Sequence, residues 1–289
     1  FCLISTICDV MPLKGFNRKM LTIGFKKLFI KNKGLKKLIG NLKKKLSYQD
    51  IGFKIGPLIN SSGRIAKANN VVELFLTQDD DKIENIINKM NTHNSTRKRI
   101  EQENLDLVDT KKYKNRNVIF IFNKEFHEGI IGIIAAKLSQ MFSKPCFVVT
   151  ESQNLLKCSI RSQNNIKINK TINKLIENKL IISGGGHDEA GGFSAKKERL
   201  SDIEKFIIKE FENLDTKNYS YFDTFTIFPK KNSSIINDLK SLEPFGKSNP
   251  EPIFYFKNIK SIKSEIINKR HVQNIFKNKI GKTIKSISF

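Results

Sequence analysis

The chain has 289 residues, enough for about two domains at about 100–200 residues each, and carries 52 Lys+Arg against 28 Asp+Glu, a formal charge of +24. No apolar run approaches the roughly 20 residues that span a bilayer, the opening Phe1–Ile7 is too short for a signal peptide, and Cys2, Cys8, Cys146 and Cys158 form no Cys-x-x-Cys pair. These features exclude a membrane span and a cysteine zinc site, and predict a soluble cytoplasmic protein with reduced, mostly buried thiols. The charge suits a polyanion binder, but lysine is spread everywhere, as in Lys26-Lys27 and Lys43-Lys44-Lys45, so compositional bias contributes to it. The charge permits nucleic-acid binding without establishing it.

In chain order, Phe1 to Ile7 reads as a buried strand with Asp9 beyond its end, and Met20-Leu21 through Leu28-Phe29 as a helix. Gly56-Pro57 precedes Asn60-Ser61-Ser62-Gly63-Arg64, a polar loop feeding a helix at Ile65. From about Asp79 to Tyr113 runs a long charged helix whose thin apolar face carries Ile83, Ile86, Ile87 and Met90, then Ile100, Leu105, Leu107 and Val108. Its length and polarity predict a connector, with His93 a solvated surface histidine. Residues 116–213 alternate strand, helix, strand, strand, helix, glycine loop, strand, helix, the pattern of a small α/β domain. Beyond Thr216 the pattern predicts strands at Tyr219–Phe228, Ile253–Phe256, Ile259–Lys263 and His271–Phe276, with a helix near Ser233–Leu242. Short strands with polar turns fit a small barrel, in which Phe245, Phe254, Tyr255, Phe256 and Phe276 are divided between the core and base stacking.

Four motifs carry chemistry. In Gly184-Gly185-Gly186-His187-Asp188-Glu189-Ala190-Gly191-Gly192 the glycines allow backbone amides to converge on an anion, with His187 a donor at the rim; a tight turn with an exposed histidine is the alternative. Arg64 can fork onto a phosphate with two hydrogen bonds. Phe126-His127-Glu128-Gly129-Ile130-Ile131-Gly132 follows the strand Asn117–Phe122 and opens a helix from Ile130 to about Met141, a geometry that presents free amides and a positive dipole end. In Cys158-Ser159-Ile160-Arg161-Ser162, Arg161 again suits a phosphate. Taken singly, Arg64 and Arg161 also fit surface arginines, and His127 with Glu128 a capping pair.

Taken in order, these motifs resemble the RecJ-type single-strand-specific exonucleases of the DHH phosphoesterase superfamily. The likeness runs from Thr6-Ile7-Cys8-Asp9-Val10-Met11-Pro12-Leu13 and Asn17-Arg18 through Asp50-Ile51-Gly52-Phe53, Ile59–Arg64 and Val72–Thr77. It continues with His127-Glu128-Gly129 and the glycine stretch, and ends with the order-specific string Glu243-Pro244-Phe245-Gly246-Lys247-Ser248-Asn249-Pro250-Glu251-Pro252-Ile253-Phe254. The chain departs from the family in having Ala190-Gly191-Gly192 where two alanines usually precede the glycine, and Ser61-Ser62 where two alanines are common. No Asp-His-His string occurs, and the resemblance implies that the acid-rich metal site lies upstream of Phe1, making this an interior fragment.

The resemblance implies an α/β fold in four parts: the C-terminal part of a DHH domain (1–77), a connecting helix (78–115), a substrate-binding DHHA1 domain (116–213) and a partial OB-fold-like barrel (214–289). It implies 5′-to-3′ hydrolysis of single-stranded DNA with Mn2+ or Mg2+. Asp9 is the metal ligand that matches, and His127 and His187 join it as catalytic groups. Asn60, Arg64, Glu128, Gly129, Ser159, Arg161, Gly184, Gly185, Gly186 and His187 hold phosphate, and none is a nucleophile. Single-stranded DNA is the implied partner, with a single-strand-binding protein and a helicase beside it, no membrane, and a monomeric state. Alternatives are an oligonucleotide phosphodiesterase or bisphosphate phosphatase of the same superfamily, which the appended barrel argues against, and an inert single-strand-binding module.

Overall fold

The computed structural model describes residues 1–40, 46–163, 166–214, 221–226, 234–267 and 271–288. It opens with helices α1 (Cys2–Cys8), α2 (Gly15–Lys26), α3 (Lys33–Gly40), α4 (Tyr48–Asp50), α5 (Gly56–Ile65), α6 (Asn69–Leu76) and α7 (Asp80–Asp106). Next come β1 (Ile119–Phe122), α8 (Ile131–Phe142), β2 (Cys146–Ser152), β3 (Leu155–Arg161), α9 (Ile168–Glu177), β4 (Ser183–His187), β5 (Ala190–Ala195) and α10 (Leu200–Glu210). The last part holds β6 (Thr224–Thr226), α11 (Ser234–Ser241), β7 (Phe254–Phe256), β8 (Ile259–Ile267), β9 (His271–Asn278) and β10 (Thr283–Ser288). By contacts the chain forms two units, one of Ile30–Lys45 with Phe53–Asn218, the other of Phe1–Phe29, Leu46–Gly52 and Tyr219–Phe289.

The first of these is built on a five-stranded sheet in the order β1-β2-β3-β5-β4, with β1 and β2 parallel and the other pairs antiparallel. Continuous apolar runs, Ile119 to Ile121 and Cys146 to Val149, form strands buried on both faces. Phe120, Phe147, Val149, Leu156, Cys158, Ile160 and Phe193 face one way, against Ile168, Ile172 and Leu175 of α9 and Ile203 and Ile207 of α10. Ile119, Ile121, Cys146 and Val148 face the other way, against Ile130 and Ile134 and Leu138 of α8. This α/β/α layering agrees with the expected mixed fold.

The long helix α7 covers 27 residues, about 40 Å at 1.5 Å per residue. Asp79 caps it, its carboxylate accepting from the Asp81 and Lys82 amides at 3.0 and 3.1 Å. Ile83, Ile86, Ile87 and Met90 are buried in its first half, where it packs on α5 and α6, and Ile100 and Leu105 join the α8 side of the sheet. His93 is half-buried rather than solvated, its Nδ1 3.3 Å from Ser62 Oγ.

Three local expectations are corrected. Phe1–Ile7 belongs to helix α1, in which only Thr6 is buried; a short apolar run does not by itself separate strand from helix. Asn60–Arg64 is the second half of helix α5, not a loop, because Pro57 at its start pre-sets the first turn. Gly184–Gly186 is strand β4, not a loop.

In the other unit, β8, β9 and β10 form an antiparallel sheet and β6 pairs with β7 in parallel. The Pro-rich string is tied to the amino-terminal segment: Leu13 N–H donates to Lys247 O at 2.7 Å, and Arg18 Nη2 to Leu242 O at 3.0 Å. Phe245 meets Tyr48 edge-on at 6.3 Å. Phe254, Phe256 and Phe276 are half-buried, whereas Tyr255 is exposed and stacks on Phe222 at 5.2 Å. Lys43-Lys44-Lys45 and both ends of Tyr219–Phe228, residues 219–220 and 227–228, lie outside the described residues. Among the described residues no helix is long and apolar enough to cross a membrane. All four cysteines are free thiols, Cys146 and Cys158 buried, Cys8 half-buried and Cys2 exposed.

Candidate nucleic-acid interface

The alternation of β3 decides what the sheet offers. Leu156, Cys158 and Ile160 turn into the α9 core, so Lys157, Ser159 and Arg161 stand on the opposite face and remain half-exposed. Strand register carries this face outward. Arg161 is paired with Ala190 and Ala190 with His187, while Ser159 is paired with Gly192 and Gly192 with Gly185. Neighbouring strands lie about 4.8 Å apart, so His187 sits about 10 Å across the sheet from Arg161, with only alanine and glycine between.

The glycine stretch works differently from a convergent nest. A Cβ on Gly184 would meet Ile172 Cγ2 at 2.9 Å, and one on Gly191 would meet Ile172 Cδ1 at 2.5 Å. These glycines let α9 close on the sheet, and Gly184 and Gly186 stand on the α9 side. Gly185 is the exception, since a Cβ there meets nothing within 4 Å. It belongs to the Ser159 face and leaves that face clear. As an edge strand, β4 also presents backbone groups that β5 does not use.

The wall of this face is the segment before α8. Its first-turn amides are mostly held by the backbone, Ile131 N–H donating to His127 O at 3.3 Å and Ile133 N–H to Ile130 O at 2.8 Å, and α8 has no side-chain cap. Gly129 N–H donates to His127 Nδ1 at 3.1 Å, which leaves Nε2 as the donor of the neutral ring. Gly132 permits α8 to approach β3: a Cβ there would lie 3.1 Å from Ser159 Oγ and 3.4 Å from Arg161 Nη2. Arg161 folds back along its strand, Nη1 donating to Ser159 Oγ at 3.2 Å and to Ile160 O at 2.7 Å.

Arg64 arrives from the last turn of α5, and its Nη1 donates to Gly129 O at 3.0 Å. The backbones touch as well, because a Cβ on Gly129 would lie 2.1 Å from Arg64 O. Burial lowers the pKa of both guanidinium groups, and so does like charge, Arg97 acting on Arg64 and Arg64 on Arg161. Arginine stays protonated under such shifts, so the result is a desolvated positive site that an anion relieves.

Behind Arg64 lies a charge network outside the sequence motifs. Glu101, 6% exposed, accepts from Arg97 Nη1 at 2.7 Å and pairs with Lys137 of α8. Its charge partly offsets the Arg97–Arg64 repulsion. The i,i+4 spacing of Arg97 and Glu101 was a visible signal for the pair, but not for its burial.

Arg64, His127, Gly129, Ser159, Arg161, Gly185 and His187 thus belong to one open face and its wall. Glu128 is exposed in that wall, and Asn60 is exposed one turn before Arg64 on α5. Asp9 lies in the other unit, exposed as the C-cap of α1 rather than at a strand end. Among the described residues no three His, Cys, Asp or Glu side chains gather as a metal site.

Comparison with known proteins agrees with this architecture. The DHHA1 domain family matches residues 115–213, and the RecJ OB domain family matches residues 225–289. The single-stranded-DNA-specific exonuclease RecJ of Bacillus subtilis is 25% identical over 291 residues, covering 95% of this chain and 37% of its own length. That of Escherichia coli is 23% identical over 290 residues, covering 93% of this chain and 50% of its own. The crystal structure of RecJ in complex with Mn2+ from Thermus thermophilus superposes with a TM-score of 0.85 at 24% identity, covering 98% of this chain and 43% of that one. The chain therefore spans half or less of the length of these relatives; it matches the DHHA1 and RecJ OB domain families and is similar to RecJ over most of its own length.

Proposed function

We propose that the chain serves a 5′-to-3′ single-stranded-DNA exonuclease of DNA repair and recombination, and that its part is to hold the terminal phosphate. The observation that carries this is the pair of half-buried, mutually repelling arginines, Arg64 and Arg161, beside the uncapped start of α8. Arg161 with Ser159 binds the phosphate oxygens, Arg64 fixes the wall and adds charge, and His127 and His187 donate from either side. The clear floor at Gly185 and Gly192 admits a single strand. Asn60, Glu128 and the Gly184–Gly186 backbone border the site.

Mn2+ or Mg2+, when bound, would activate water and neutralise charge developing on phosphorus. Asp9 is the candidate ligand this chain offers, and a single exposed carboxylate does not make up a site for such an ion. The lack of a three-ligand cluster among the described residues favours one second reading, that these residues alone bind single strands without cutting them. The RecJ OB domain favours the exonuclease over a small oligonucleotide phosphatase. Single-stranded DNA is the proposed partner, with a single-strand-binding protein and a helicase as accessory proteins, and the protein acts as a cytoplasmic monomer.

The test is degradation of 5′-labelled single-stranded and duplex DNA with Mn2+, by the wild type and by Arg64→Ala and Asp9→Asn. Single-strand-specific release of 5′ nucleotides that both substitutions abolish, with DNA binding lost only in Arg64→Ala, supports the exonuclease. Binding without cleavage in the wild type supports the second reading.

A further inference from the structure

We propose that Lys157, Ser194 and Ser183 form a second phosphate site, one nucleotide step along the face from the Arg161 site. The inference rests on the phosphate-holding reading of that first site. Lys157 is two residues before Ser159 on β3, hence on the same face. Its register partner is Ser194, whose partner in turn is Ser183, so three polar side chains cross the sheet in one row. The next row is Ser159, Gly192 and Gly185. Because Arg161 folds back to within 3.2 Å of Ser159 Oγ, its guanidinium belongs to that row. One row to the next is two residues, about 6.6 Å along a strand, comparable to one backbone repeat of an extended nucleic-acid strand.

The chemistry of the second row is that of a held but unneutralised cation. Lys157 Nζ donates to Ser194 Oγ at 3.0 Å, which fixes the ammonium over β5 and leaves two of its three protons free. Among the described residues no carboxylate pairs with Lys157, whereas Lys174 is paired with Glu210 and Lys197 with Glu151. Thr150, the register partner of Lys157 on β2, is buried and donates to Phe126 O at 2.7 Å, so it ends the row on the inner side. On the outer side the row ends at exposed Ser183 on the edge strand. Nothing rises from Gly185 or Gly192 to obstruct passage past the row between. Gly192 is required by packing, since a Cβ would lie 2.7 Å from Cys158 O. Gly185 is not, so its bareness serves whatever crosses the face.

The experiment is equilibrium binding of thymidine 5′-monophosphate, with one phosphate, and of 5′-phosphorylated thymidine dinucleotide, with two. Both are titrated against the full chain and its Lys157→Gln, Lys157→Arg and Arg161→Ala variants over a salt series without divalent cation. Lys157→Gln is expected to weaken the dinucleotide about five- to tenfold and to reduce its log–log salt slope by about 0.7, one phosphate contact. It leaves the mononucleotide unchanged, and Lys157→Arg retains wild-type binding of both. If Lys157→Gln changes neither ligand, or both equally, while Arg161→Ala weakens both, the second site is wrong and the first stands. If Arg161→Ala changes neither ligand, both sites are wrong.

Discussion

Gly129 and Gly185 look alike in sequence and differ in what surrounds them, so one kind of substitution separates fold from site. In Gly129→Ala the new methyl would lie 2.1 Å from Arg64 O and 3.0 Å from Arg64 C. These are backbone atoms that cannot rotate away, so the wall must move off α5. Overpacking of this kind costs about 1–3 kcal/mol. The separation also breaks the Arg64 Nη1 to Gly129 O hydrogen bond, a charge-assisted contact worth about 1.5 kcal/mol at the low end suited to its half-exposed setting. A total near 3 kcal/mol corresponds to about 6–12 °C in melting temperature for a unit of this size. In Gly185→Val the Cβ meets nothing within 4 Å and a good strand former is placed on an edge strand, so stability is unchanged or rises by up to about 1 kcal/mol. Its side chain stands on the Ser159 face and obstructs the strand. Differential scanning calorimetry with single-strand binding reads both effects. Gly129→Ala melts early, whereas Gly185→Val melts normally and binds weakly. A Gly185→Val variant that binds DNA normally, or a Gly129→Ala variant that melts at the wild-type temperature, refutes this assignment.

Glu101→Ala leaves Arg97 and Lys137 facing each other without their carboxylate, a loss of about 3 kcal/mol for breaking a largely buried pair, visible as a lower urea midpoint. Burial raises the pKa of Cys146 and Cys158 above the usual 9.0, so the folded thiols stay neutral where unfolded ones ionise. Stability is fully present below about pH 9 and falls as pH rises beyond it, by about 1.4 kcal/mol per pH unit per thiol. Urea unfolding at a series of pH values up to 10.5 measures the slope, and it is smaller in the Cys146→Ala, Cys158→Ala double variant, where Cys8, Tyr48 and Tyr113, whose pKa values burial also raises, keep the remainder. Alkylation of the native protein at pH 8 reaches Cys2 first and leaves Cys146 and Cys158 unmodified, as mass spectrometry of the digest shows.

The strand–turn–helix at Asn117–Met141 was legible because periodicity and punctuation agree there: an apolar run, a glycine at the turn, then a helical repeat. Ser159 and Arg161 were legible as a strand end for the same reason. Lys157 followed the same alternation, but without the register to Ser194 it was one lysine among many. Helix α5 was hidden because its polar, glycine-containing second half reads locally as a loop; burial of Ser61 and Ser62 against α7 overrides that propensity. Ile172, which demands glycine at 184 and 191, lies on helix α9 and not on their strands, so the glycines' true reason was absent from their own neighbourhood. Local sequence therefore displayed the motif residues and concealed which of them serve packing.

The most direct test of the central claim is the affinity of the chain for a short thymidine oligonucleotide with a 5′-phosphate and with a 5′-hydroxyl, in the wild type and in Arg161→Ala. The account predicts a clear preference for the phosphorylated end that Arg161→Ala removes, while residual binding of both ends becomes equal. Equal affinity for the two ends in the wild type, or a preference that survives Arg161→Ala, would contradict it.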